Sequence, residues 1–125
     1  MTINAPPNRS DVPLIHRVVE FYKTVYRAAA KIPKRDRYGI FLKIENVALE
    51  TVALIIGAAF QQKHAKLVNL ESARINTELL KRLIRVSQEL GIVPEKWYLA
   101  SESQLQEISK MLNGWIRYLQ PKTLV

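Results

Sequence analysis

The side chains able to carry chemistry in this sequence are its carboxylates, its two histidines and its many lysines and arginines. Paired acids would support general acid–base work or metal binding. Glu45 and Glu50 stand five residues apart. On a helix that spacing puts them on different faces, so they read as solvated or inter-helix partners. A bundle that holds two metal ions needs Glu-x-x-His pairs, and the sequence has none. His16 and His64 are accordingly read as non-ligands. The absence of cysteine excludes disulfides and Cys-ligated metals. Neither a Gly-rich phosphate loop nor a Gly-x-Ser-x-Gly elbow occurs. The expectation is a protein that is not an enzyme and needs no cofactor.

The cations remain. Nineteen Lys and Arg against eleven Asp and Glu give the 125-residue chain a formal charge of +8. An excess of this kind draws a protein to polyanions, nucleic acid first and an anionic membrane second. A basic surface that serves only solubility is the plainer alternative. Choosing between them requires knowing where the cations sit, and so which elements carry them.

Length and a hydrophobic content of 48% predict one domain with a true core. Residues 1–10 include Pro6-Pro7 and Asn8, which disfavour helix and predict an extended or flexible arm. Met1 to Arg9 lacks the apolar run of a signal peptide. The uncharged run from Thr51 to Gln62 falls short of the ~20 residues that cross a membrane. A cytoplasmic protein without a membrane partner is expected. Residues 11–120 read as the folded unit, and 121–125 as a tail.

Within 11–120 the apolar residues recur at helical spacing and nothing reads as a strand. A first helix, capped by Ser10 or Asp11, carries Ile15, Val18, Val19, Tyr22, Val25, Tyr26 and Ala29 and ends near Lys31. Its opposite stripe holds Glu20, Lys23, Arg27 and Lys31. Pro33 breaks this pattern. A second helix starts between Pro33 and Tyr38, runs to about Gln62, and uses Gly39 for a close helix contact. Lys63 to Val68 reads as a basic connection, and Asn69 as the cap of a third helix. That helix turns Ile75, Leu79, Leu80, Leu83, Val86 and Leu90 to the core and stops at Gly91. Its outer charges pair as Arg74 with Glu78, Glu78 with Arg82, and Arg85 with Glu89. Ser101-Glu-Ser-Gln104 spells a capping box for a fourth helix, with Leu105, Ile108, Met111, Leu112, Trp115 and Leu119 inward and a stop before Pro121.

One line along the second helix reads Lys43, Asn46, Glu50, then Ala53, Gly57, Gln61. A charged face thus gives way to small residues, which predicts burial of Ala53, Gly57 and Gln61 against another subunit. Four helices with short links fold up-down-up-down. That topology gathers Arg27, Lys31, Lys34, Arg35, Arg37, Lys81, Arg82, Arg85 and Lys96 at one end. Asp36, Glu89 and Glu95 are the acids there, so the local excess is +6. An oligomer would repeat that charge in a ring suited to phosphate backbones. The opposite end is basic too, through Arg9, Lys63, Lys66, Arg117 and Lys122. Trp97 and Tyr98 beside Lys96 have two readings, as stacking platforms for exposed bases or as aromatics closing the end of the bundle.

Several short segments carry a family resemblance. They are Ile32-Pro-Lys-Arg-Asp-Arg-Tyr-Gly-Ile40, Ile44-Glu-Asn-Val47, Asn69-Leu-Glu-Ser-Ala-Arg-Ile75, Leu80-Lys-Arg-Leu83 and Lys110-Met-Leu-Asn-Gly-Trp115. Together, from about Leu14 to Leu119, they resemble the accessory variability determinant (Avd) proteins of diversity-generating retroelements. The wider group includes four-helix-bundle proteins encoded in intervening sequences of bacterial ribosomal RNA genes. The resemblance implies a homopentameric barrel of bundles that binds a reverse transcriptase and its template RNA or RNA–DNA hybrid. In that setting the polymerase performs the phosphoryl transfer, and the family's basic contact surface falls on Arg35, Arg37, Arg74, Lys81, Arg82 and Arg85. The intervening-sequence relatives imply an alternative, a structural, oligomerising or general nucleic-acid-binding module.

Overall fold

The structure, a computed structural model, describes residues 11–120; the expected arm and tail lie outside the described residues. Among the described residues there are four long helices and one single-turn helix: α1 (Asp11–Ala29), α2 (Lys34–Arg37), α3 (Ile40–Phe60), α4 (Lys63–Glu89) and α5 (Glu95–Leu119). Among the described residues there is no strand. Helix α1 packs on α3 and α5, and α4 packs on the same two from the other side. The result is a four-helix bundle with antiparallel neighbours.

The core is a column of side chains drawn from all four long helices. Leu14, Phe21 and Val25 come from α1, Phe41, Ile44 and Ile55 from α3, Leu70 and Ile84 from α4, and Leu105 and Leu112 from α5. Each set repeats at three- and four-residue spacing, so one stripe per helix is covered. In α1 the buried stripe runs through Leu14 and Phe21, while Tyr26, expected inside, is exposed.

Three boundaries differ from the sequence-based expectation. The second helix begins at Ile40, because α2 ends in a corner at Tyr38 and Gly39. A Cβ on Gly39 would stand 2.9 Å from the Arg35 carbonyl oxygen, so the glycine permits this corner and not a contact between helices. The stretch 63–68, expected as a connection, is helical from its first residue, leaving Gln61 and Gln62 as the link. Helix α5 starts at Glu95 behind Pro94, so Ser101 lies inside it. Its hydroxyl donates to the Tyr98 carbonyl at 3.0 Å and is fully buried.

The α4 core face also differs. Its buried line is Lys66, Leu70, Ala73, Thr77, Leu80, Ile84 and Ser87, whereas Ile75, Leu79, Val86 and Leu90 are exposed. The polar members of the buried line are satisfied locally. Thr77 and Ser87 donate to the carbonyls one turn back, at 2.7 and 3.0 Å, which removes the cost of burying a hydroxyl. The Lys66 ammonium lies 5.4 Å from the centre of the Trp115 ring, a cation–π arrangement that also covers its alkyl stem.

The α4 terminus follows the expectation. Gly91 has φ +75°, its N–H bonds the Gln88 carbonyl at 3.0 Å, and the Ile92 N–H bonds that of Ser87 at 2.9 Å. These are the two bonds of a Schellman ending.

Candidate functional site

The chain direction brings the end of α1, all of α2, the end of α4 and the start of α5 to one end of the bundle. The corner there is held from within. Arg37 donates through Nε and an Nη to the Ile32 carbonyl at 3.2 and 3.1 Å. Its guanidinium also lies 6.0 Å from the ring centre of exposed Tyr38. Arg37 therefore pins the α1–α2 turn.

The remaining basic residues divide into engaged and open groups. Lys81 pairs with Glu78 at 3.0 Å and is mostly covered. Arg85 reaches Glu89 at 3.1 Å. Tyr98 first, then Glu89, holds its guanidinium above the ordinary pKa. Arg74 bonds Glu71 at 2.8 Å and sits about midway along α4, apart from the basic end. The expected Arg74–Glu78 and Glu78–Arg82 pairs are replaced by Arg74–Glu71 and Lys81–Glu78; only Arg85–Glu89 has the expected partner. Among the described residues Arg27, Lys31, Lys34, Arg82 and Lys96 are exposed and make no ion pair. Arg35 is 94% exposed and lies 3.8 Å from Asp36. These six cations are available to a partner without breaking a close internal bond.

The aromatics of this end pack inward. Trp97 is half-buried with its ring 5.9 Å from that of Phe41, and Tyr98 is half-buried beside Arg85. Trp97 also borders a cavity of about 670 Å³, which the sequence did not signal. The cavity opens between the end of α1 with the turn after it, which contribute Arg27 and Lys31, and the loop of Ile92, Val93 and Pro94.

Of the residues expected between subunits, Ala53 is exposed and Gly57 and Gln61 are half-buried. Gly57 has a neighbour within the chain. A Cβ there would stand 3.1 Å from the Asn69 amide nitrogen, which donates to the Leu54 carbonyl at 3.1 Å. Asn69, expected as a cap, instead ties α4 to α3. Beyond this seam α3 exposes Leu42, Leu49, Ile56 and Phe60, and α4 exposes Val68, Ile75, Leu79 and Val86.

His16 has Glu20 one turn ahead, a pairing the sequence argument passed over. The two line a smaller cavity with Arg17 and Gln104. Lys23, bonded at 3.1 Å, holds the Glu20 carboxyl below its usual range. Among the described residues no group of three or more His, Cys, Asp or Glu could hold a metal ion, and no helix is long and apolar enough to cross a membrane. Glu50 serves as an inter-helix partner, accepting from the Asn76 amide at 3.0 Å.

Fold and charge together define a small four-helix-bundle protein with a strongly basic end. A family model described as bAvd-like matches residues 14–119. The chain belongs to the bAvd-like family. None of the curated proteins matches it.

Proposed function

We propose that this chain is the accessory subunit of a diversity-generating retroelement, binding a reverse transcriptase and template RNA or cDNA through its basic end. The observation that carries this reading is the open set of cations. Arg27, Lys31, Lys34, Arg35, Arg82 and Lys96 come from four separate helices and the turn between two of them, yet share one end of the bundle without close internal partners. Charges that serve only solubility have no reason to converge in this way. The protein contributes binding and positioning, and the polymerase contributes the chemistry. RNA and an RNA–DNA hybrid both present the phosphate spacing that such a surface recognises.

We infer in addition that the chain acts as a homo-oligomer, with five copies by family likeness. Helix α4 buries Leu70, Leu80 and Ile84 in its own core and still exposes Ile75, Leu79 and Val86. A second apolar stripe thus points away from its own core, which favours a second cover. The outer ridge of α3, with Ala53 along its edge, extends that surface.

Co-purification tests the reading. The reverse transcriptase encoded beside this chain should be retained by tagged protein, and retained poorly by Arg82→Glu/Arg85→Glu of unchanged helix content. Equal retention of polymerase and RNA by both proteins would remove the basis of the proposal.

A further inference from the structure

The cavity at the basic end has a composition that a phosphate-binding surface does not require. Thr24, Arg27 and Ala28 lie along one face of α1, because residues three and four apart share a face, and Lys31 joins them from the turn that follows the helix. Both cations therefore border the cavity from the same side of the bundle. No acidic residue lines the cavity. Its other walls are apolar: Ile32, Ile92, Val93, Pro94 and the ring of Trp97. Packing against Phe41 fixes that ring, so a ligand meets a surface already in place.

A volume of about 670 Å³ lies within the range that encloses a small organic ligand. The lining asks for a flat apolar body that carries a negative charge at one edge. We propose that the cavity receives one unstacked nucleotide of a bound strand, with the base against Trp97 and the phosphate at Arg27 and Lys31. This rests on the nucleic-acid reading above and adds to it a preference for single-stranded or frayed segments. Stacked bases in a duplex cannot enter a pocket, whereas an unpaired base offers its whole face. An extended peptide is the poorer fit. Its main chain would need a sheet edge to pair with, and the walls are helices and a Schellman turn whose amides are engaged.

The two tryptophans provide an internal control, since Trp115 is buried in the core. Full-length protein labelled with ¹⁵N is titrated with a mixed-sequence single-stranded RNA decamer, a hairpin of equal length, and a nucleoside 5′-monophosphate. The indole N–H resonance of Trp97 should move with the decamer and the monophosphate, and less with the hairpin, while that of Trp115 stays in place. Arg27→Ala/Lys31→Ala, both surface changes, should weaken decamer binding about tenfold, the scale of losing phosphate contacts and one stacked base. Decamer binding with an unmoved Trp97 resonance, or undiminished in the double variant, overturns the pocket and leaves the wider reading intact. A Trp97 shift with monophosphate but no binding of either RNA overturns the strand as the source of the nucleotide, and the wider reading with it.

Discussion

Gly91 and Gly114 show how two glycines of one chain answer the same substitution in opposite ways. Gly91 holds φ +75°, so Gly91→Ala should lower unfolding free energy by about 1–2 kcal/mol through backbone strain alone. Gly114 lies inside α5, and a Cβ there meets nothing within 4 Å. Gly114→Ala should therefore raise stability by about 0.5–1 kcal/mol. Urea midpoints of the two variants check both signs. Glu45 gives a pH test. Burial raises its carboxyl above the ordinary value, opposed by Arg37, so its ionised form is disfavoured in the folded state. Ionisation then costs stability above the raised folded pKa, and the cost disappears below the unfolded one. Glu45→Gln should be the more stable protein near pH 7, with the difference closing in acid; a gap that widens in acid would contradict the assignment. At this scale Gly91 was legible because a helix ending leaves a local signature. Lys66 was not, because a lysine looks basic in any sequence. Only the structure shows it 1% exposed beneath the Trp115 ring.

At the scale of elements, four amphipathic repeats separated by breakers were enough to specify a bundle. The starts of α4 and α5 were not legible, because Asn69 and Ser101 are cap residues by type but lie inside helices. One ties α4 to the Leu54 carbonyl and the other bonds back to Tyr98. Periodicity also placed the α4 core face only in part, with Leu80 buried and Leu83 packed on the core but Ile75, Leu79, Val86 and Leu90 exposed, for a physical reason. It ranks faces by hydrophobicity, and α4 carries apolar residues on an outer face as well as on the face turned to the core. Two substitutions separate these faces. Ile84→Ala empties a fully buried site and should cost about 2–5 kcal/mol in denaturant unfolding. Ile75→Ser/Leu79→Ser changes exposed positions. It should keep the helix content by circular dichroism while light scattering falls toward the 14.4 kDa of one chain. A wild-type particle already at that mass would refute the oligomer.

At the scale of the whole molecule, topology gathers charge that sequence order scatters. The basic end was legible, since up-down-up-down connectivity and short links determine which helix ends meet. What could not be read was the division of labour within it. Arg37 is spent on the Ile32 carbonyl, Lys81 on Glu78 and Arg85 on Tyr98 and Glu89, so the cations open to a partner are Arg27, Lys31, Lys34, Arg35, Arg82 and Lys96. The central claim is that these open cations hold nucleic-acid phosphates. The most direct test is the affinity of the full chain for structured template RNA, measured from about 50 to 200 mM salt beside Arg35→Glu/Arg82→Glu. Each phosphate contact contributes a slope of roughly −0.7 to −0.9 in log affinity against log salt. The account predicts a steep negative slope for the wild type, and for the variant weaker binding with a slope shallower by about two contacts. Absence of RNA binding, or an affinity indifferent to salt and to the reversed charges, would contradict it.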